Sequence, residues 1–194
     1  YFCVGGSCVI MPQRSFDPAA TLQIIQDEKA TDIHIVATHL AAFFTVPDFE
    51  KYDLSSLKRM FYAASPMPLE LLKKGMQKWG PIFCQAYGAT EDGPNVTLLS
   101  MQQHNVLHKP SEEQKVLTSA GFPVIGVQVR IVDDKDQDLP PGEVGEIVVR
   151  SKHNMLEFWH KPEETRETIV NGWLHTGDIG RYDEKGYIYI VDRK

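Results

Sequence analysis

Residues 85–91, Gln85-Ala86-Tyr87-Gly88-Ala89-Thr90-Glu91, bring an aromatic ring, a glycine, a hydroxyl and a carboxylate together just past the short apolar run at 81–84. A ring can stack on a base, glycine lets backbone approach a ligand closely, a threonine hydroxyl can donate to a phosphate oxygen, and a carboxylate can hold Mg²⁺. A nucleotide with its metal satisfies all four. The apolar run follows Gly80 and reads as a buried strand ending at Gln85 or Ala86. The polar residues then lie at a strand's carboxyl end, where ligands collect in open parallel α/β sheets.

The elements that position this stretch can be read on either side of it. Residues 4–11 are apolar around Gly5-Gly6 and read as a strand. Asp17-Pro18 supplies an N-cap and a first-turn proline for a helix through about residue 28, with Leu22 and Ile25 inward. A strand over 33–36, a short helix over 37–44 and a strand over 60–64 follow. The next helix, over 66–79, carries Leu69, Leu72, Met76 and Trp79 at intervals of three and four, one buried face. The alternation of strands and helices predicts a parallel sheet.

Residues 101–119 are polar without a clear period and read as a connecting loop. Beyond Gly121 the chain becomes β-rich. Val127, Val129 and Ile131 alternate with their neighbours, a turn spans 138–142, and 146–150 completes a hairpin. A short helix starts at Pro162. A final hairpin, strands 179–182 and 187–191 about a turn at 183–186, delivers Arg193. The expected organisation is an α/β unit over 1–114 and a β-rich unit over 115–194.

Composition excludes several classes. A formal charge of −6 gives no basic footprint for nucleic acid. No apolar run approaches the roughly 18 to 20 residues of a spanning helix. Cys3, Cys8 and Cys84 are odd in number and lack zinc-type spacing, so buried reduced thiols in a cytoplasmic protein are expected. His34, His39, His104 and His108 show no metal pattern and read as surface or core histidines. No Gly-x-Ser-x-Gly elbow supports hydrolase chemistry. The chain starts without Met and ends just after an apolar strand, which reads as an excised piece of a longer protein.

The 85–91 stretch resembles the Tyr-Gly-x-Thr-Glu signature of the adenylate-forming superfamily, which comprises acyl-CoA synthetases, peptide-synthetase adenylation domains and firefly luciferase. Ala63-Ala64-Ser65-Pro66-Met67-Pro68 resembles its adenine-side loop, with alanines where many relatives have glycine. Gly142-Glu143-Val144-Gly145-Glu146-Ile147 resembles its Gly-Glu-x-Gly-Glu-Ile turn, Trp173-Leu174-His175-Thr176-Gly177-Asp178 its Trp-x-x-Thr-Gly-Asp segment, and residues 189–194 the approach to its interdomain hinge. The resemblance implies that Tyr87 lies against adenine with Ala64, Ser65 and Pro66 on its other side, and that Gln85, Ala86 and Gly88 belong to the same nucleotide site. It implies that Thr90 donates to the α-phosphate and Glu91 ligates Mg²⁺. Asp178 accepts the ribose hydroxyls, with a turn aspartate as the alternative reading. Arg193 meets the ribose, with a solvated arginine as the alternative.

The same resemblance implies a barrel-like β-rich subdomain and an acyl pocket lined in part by 37–44. The substrates are ATP, a carboxylic acid and coenzyme A. A fatty or aryl acid fits better than an amino acid, since Asp32 is the only carboxylate near the early pocket. The family's phosphate loop precedes residue 1 and its mobile domain with the catalytic lysine follows Lys194, so the isolated chain is expected to bind adenylates weakly and not to turn over. Another acceptor than coenzyme A, or a non-catalytic binding module, are the alternatives.

Overall fold

The computed structural model describes residues 5–11 and 15–194. Asp17 caps the first helix, α1 (Pro18–Asp27), accepting the Ala20 N–H at 3.0 Å, and Pro18 opens it. Leu22 and Ile25 are buried as the periodicity predicts. Then come β1 (Asp32–Ile35), α2 (Ala37–Phe43), β2 (Arg59–Tyr62), α3 (Leu69–Trp79) and β3 (Phe83–Tyr87). The three strands pair in parallel, Ile33 with Met60 and Met60 with Phe83. Leu72 and Met76 of α3 are buried over the sheet, and Gly75 lies so close that a Cβ there would stand 2.7 Å from the Phe83 ring.

Several boundaries differ from the sequence reading for local reasons. The strand expected over 4–11 is absent from the described residues 5–11, where Gly5 turns the chain at a φ of 76° and no partner strand pairs; Val4 lies outside the described residues. The second strand stops at Tyr62 because Ala64 adopts a left-handed φ of 66°. The helix expected from 66 begins at Leu69, since Pro68 holds the chain extended and disfavours helix at the residue before it. The strand β3 runs through Tyr87, so the signature tyrosine is itself a strand residue.

The region 101–119 is not a plain loop. After β4 (Thr97–Leu99), Ser100 caps α4 (Met101–His104) and Gln103 answers it reciprocally; α5 (Ser111–Gln114) and a 3₁₀ turn follow. His104 is fully buried. Its Nδ1 lies 2.8 Å from the Ser100 carbonyl, so it donates there, and Nε2 accepts the Tyr62 hydroxyl at 2.9 Å. Burial pushes this imidazole down to about 4, so it stays neutral. The strands β4 and β5 (Phe122–Pro123) extend the first sheet antiparallel, giving the order β1-β2-β3-β4-β5. Its last strand therefore comes from residues beyond 114.

The second sheet is antiparallel, in the order β10-β9-β7-β6: β6 (Gln128–Val132), β7 (Gly145–Arg150), β9 (Trp173–Tyr182) and β10 (Ile188–Arg193). The helix α6 (Pro162–Thr168) leads into β8 (Ile169–Val170), which pairs with β9. The segment 173–178 and the strand expected over 179–182 are one continuous strand. The hairpin predicted from the alternation at 127–131 forms in the register Ile131 to Ile147, and Val96, Ile131, Ile147, Val149 and Ile188 make the core beneath it. Cys84 is buried, Cys8 is exposed against expectation, and Cys3 lies outside the described residues. Among the described residues no helix is long and apolar enough to cross a membrane.

Candidate functional site

A side-chain hydrogen bond joins the two sheets at the carboxyl end of β3. Tyr87, the last residue of β3, donates its hydroxyl to Asp178 Oδ2 of β9 at 2.7 Å, across 91 residues of sequence. Burial, then the bond to Asp178, raises the Tyr87 hydroxyl's pKa, so it remains a donor. Asp178 pairs in register with Arg193 of β10, whose Nε stands 3.6 Å from Asp178 Oδ1. The Asp178 side chain is only 15% exposed. A carboxylate offers about four acceptor positions, so ones not used by Tyr87 remain for a ligand's paired hydroxyls.

Beyond Tyr87 the chain folds back on itself to pair with Thr97 in β4. A Cβ on Gly88 would stand 2.5 Å from the Gly93 carbonyl oxygen, so this return requires glycine. Gly88→Ala is expected to cost about 2 kcal/mol of stability by overpacking; thermal unfolding checks it, and an unchanged midpoint would count against the close approach. Asp92, 1% exposed, accepts the Ala89 N–H through Oδ1 at 2.6 Å and fixes the loop around Thr90 and Glu91. The Glu91 carbonyl accepts the Met155 N–H at 2.7 Å, tying the loop to the second sheet's side. Thr90 is exposed and Glu91 half-buried.

Asp92 escaped the sequence reading. Its Oδ2 is buried without a hydrogen-bond partner, and burial, reinforced by the charges of Glu91 and Asp178, pushes its carboxyl up to about 6. The available signal was its place three residues after Ala89, the spacing at which a side-chain oxygen reaches back to an earlier backbone N–H, as in a capping box.

Ala64, Ser65 and Pro66 leave the carboxyl end of β2, whose Tyr62 pairs with Gln85 of β3, so their exposed loop emerges beside the signature stretch. Ala86 points into the core and Gln85 is half-buried, so these two contribute strand rather than open surface. Among the described residues, no cluster of three or more His, Cys, Asp or Glu could hold a metal alone. A single carboxylate such as Glu91 suits Mg²⁺, which is commonly held by one or two carboxylates plus substrate phosphates.

A mixed parallel and antiparallel α/β fold of this kind matches the structures of adenylate-forming enzymes. Residues 1–159 match the family described as AMP-binding enzyme, and the chain belongs to that family. It is 37% identical over 189 residues to the medium/long-chain-fatty-acid–CoA ligase FadD8 of Mycobacterium tuberculosis, covering 97% of this chain and 31% of that protein. The amide bond synthetase McbA from Marinactinospora thermotolerans superposes with a TM-score of 0.84 at 33% identity, covering 93% of this chain and 35% of that one. The anthranilate CoA ligase AuaEII in complex with anthranoyl-AMP does so with 0.83 at 29% identity, covering 97% and 34%. The chain spans about a third of the length of these relatives.

Proposed function

We propose that the chain is the central, adenylate-binding part of an AMP-forming acyl-CoA synthetase acting on a fatty acid. A carboxylate oxygen of the acid attacks the α-phosphorus of ATP, the new C(O)O–P bond forms, and the bond to pyrophosphate breaks. The thiol of coenzyme A then attacks the acyl carbon, loses its proton, and AMP leaves. The observation that carries this reading is the Tyr87–Asp178 bond, which sets an aromatic ring and a carboxylate, two groups suited to a nucleoside, at the junction of the two sheets.

In this reading Tyr87 lies against adenine, with backbone at Ala64, Ser65 and Pro66 on the other side. Asp178 accepts the ribose hydroxyls and Arg193 approaches from β10. Thr90 donates to the α-phosphate on the loop that Asp92 fixes, and Glu91 ligates Mg²⁺. When bound, the metal neutralises charge accumulating on the leaving pyrophosphate. The organisation into units over 1–114 and 115–194 belongs to the same proposal.

The test is acid-dependent ATP–pyrophosphate exchange by the full-length protein across short, medium, long and aromatic acids and amino acids. Fatty acids are expected to drive exchange, and coenzyme A to release AMP. No exchange with any acid overturns the reading. The 194-residue chain alone is expected to make no acyl-AMP. A second reading, adenylation with transfer to an amine, is favoured by the likeness to McbA, itself named an amide bond synthetase. Exchange with AMP release triggered by amines instead of coenzyme A selects it.

A further inference from the structure

We propose that Glu146 is a positioning residue that clamps the bulge carrying Asp178 to the end of β10 that carries Arg193, and so sets the affinity for the nucleotide. The proposal rests on the nucleotide role given to Asp178 above. Along β9 the pairing with β7 slips: Glu146 opposes Ile179 and Val148 opposes His175, so residues 176–178 bulge opposite Ile147 alone. The pairing of β9 with β10 slips too, between Ile190 and Asp192. A bulge re-aims a side chain and takes main-chain groups out of the ladder. Asp178 stands on this one, and Gly177 takes a φ of 73° within it.

One main-chain group freed by the slip and two side chains beside it converge on a single carboxylate. Glu146 Oε1 accepts the Gly177 N–H at 3.2 Å. Its Oε2 accepts His175 Nδ1 at 2.9 Å and Lys194 Nζ at 2.9 Å. His175 Nε2 reaches Asp136 at 3.5 Å on the far side. Lys194 also donates its backbone N–H to the Gly177 carbonyl at 2.7 Å. Thr176 closes the bulge from within, donating to the Ile147 carbonyl at 2.8 Å and accepting the Asp178 N–H at 3.0 Å.

Glu146 thus ties the residue before Asp178 to the residue after Arg193. Its side chain is 11% exposed, unlike the solvated ion pairs elsewhere on the surface. Burial pushes its carboxyl pKa up, but the bonds from His175 and Lys194 outweigh burial and hold it below the ordinary carboxylate value. An ionised, half-enclosed carboxylate with three donors is a rigid support for a neighbouring ligand group.

The experiment compares wild type, Glu146→Ala, Glu146→Gln, Asp178→Ala and the Glu146→Ala/Asp178→Ala double variant in the full-length protein. Amide hydrogen exchange of residues 175–178 and calorimetric AMP binding are read beside KM for ATP and kcat. In Glu146→Ala the amides at 175–178 are expected to exchange faster, and KM for ATP to rise about tenfold with kcat little changed, as loss of a contact made equally in ground and transition states predicts. Glu146→Gln keeps an oxygen for the Gly177 N–H and falls between Ala and wild type; it carries the test if the alanine variant does not fold.

In the Asp178→Ala background, Glu146→Ala is expected to add a much smaller rise than it does in wild type, the residue left to act through being Arg193. Unchanged amide protection at 175–178, or loosened amides with unchanged nucleotide affinity, overturns the proposal. So does full additivity with Asp178→Ala. If wild type activates no acid, the acyl-CoA synthetase reading fails by itself, and AMP affinity with amide exchange still decides the role of Glu146.

Discussion

Replacing Asp178 with alanine in the full-length protein is expected to lower kcat/KM for ATP by about two to four orders of magnitude. Hydrogen bonds to a charged group contribute about 1.5 to 3 kcal/mol each, and each 1.4 kcal/mol is about a factor of ten. Two bonds from a ribose diol to one carboxylate account for that loss. The same substitution strips the Tyr87 hydroxyl of its acceptor and Arg193 of its counter-ion. A buried donor left unmade adds to the cost and frees the ring that faces the base. Asp178→Asn keeps one oxygen acceptor and is expected to fall between alanine and wild type. Steady-state kinetics against ATP, with thermal unfolding to confirm that both variants fold, decides the matter. A KM for ATP unchanged in Asp178→Ala would remove this residue from the nucleotide site.

The second large effect concerns two buried groups that titrate in opposite senses. His104 is pushed from 6.5 to about 4 in the folded chain, and Asp92 from 3.8 to about 6. Between pH 6.5 and 4 the unfolded chain binds a proton on His104 that the folded chain refuses, so this contribution to stability falls as pH falls. Between pH 6 and 3.8 the folded chain keeps a proton on Asp92 that the unfolded chain releases, so this contribution rises as pH falls. Each spans about 3 kcal/mol at 1.36 kcal/mol per pH unit. They oppose one another over the shared window near pH 4 to 6.

Asp92→Asn removes one side of this balance. The amide still offers Oδ1 to the Ala89 N–H, while its NH₂ replaces an oxygen that has no partner. At pH 7 the variant is expected to be about 1 kcal/mol more stable than wild type, because the gain from losing a buried charge is partly offset by an unpaired amide donor. The difference then declines and reverses as pH falls from 6 to 4, where wild type relieves the buried charge by protonating Asp92, while the His104 loss is common to both proteins and cancels. Denaturant unfolding of both proteins across pH 4 to 7 measures it. A difference independent of pH would contradict the account of Asp92.

Much of the local structure is legible because local energetics decide it. Asp17 caps and Pro18 opens α1 through main-chain groups within three residues, and β6 and β7 pair where alternation buries Ile131 and Ile147 on one face. The boundaries at Ala64 and Pro68 turned on single-residue backbone preferences inside otherwise regular patterns. The elements α4 and α5 have four residues each, too few for a period to repeat, although the Ser100–Gln103 capping pair was present to mark one of them.

The sequence by itself determined the order of strands and helices from α1 to β3 and the pairing of β6 with β7, the ordered motifs by which the chain resembles the AMP-binding family, and the residue types available for a nucleotide, from Tyr87 to Asp178. Each of these depends on preferences expressed within a few neighbours. Only the tertiary structure decided which of those residues stand together. Tyr87 and Asp178 meet because β3 and β9 belong to different sheets packed at one junction, a contact across 91 residues whose loop-closure cost no local pattern records. The burial of Asp92 and the convergence of His175, Gly177 and Lys194 on Glu146 follow in the same way from a folded-back loop and two register slips, which exist only once the sheets have paired.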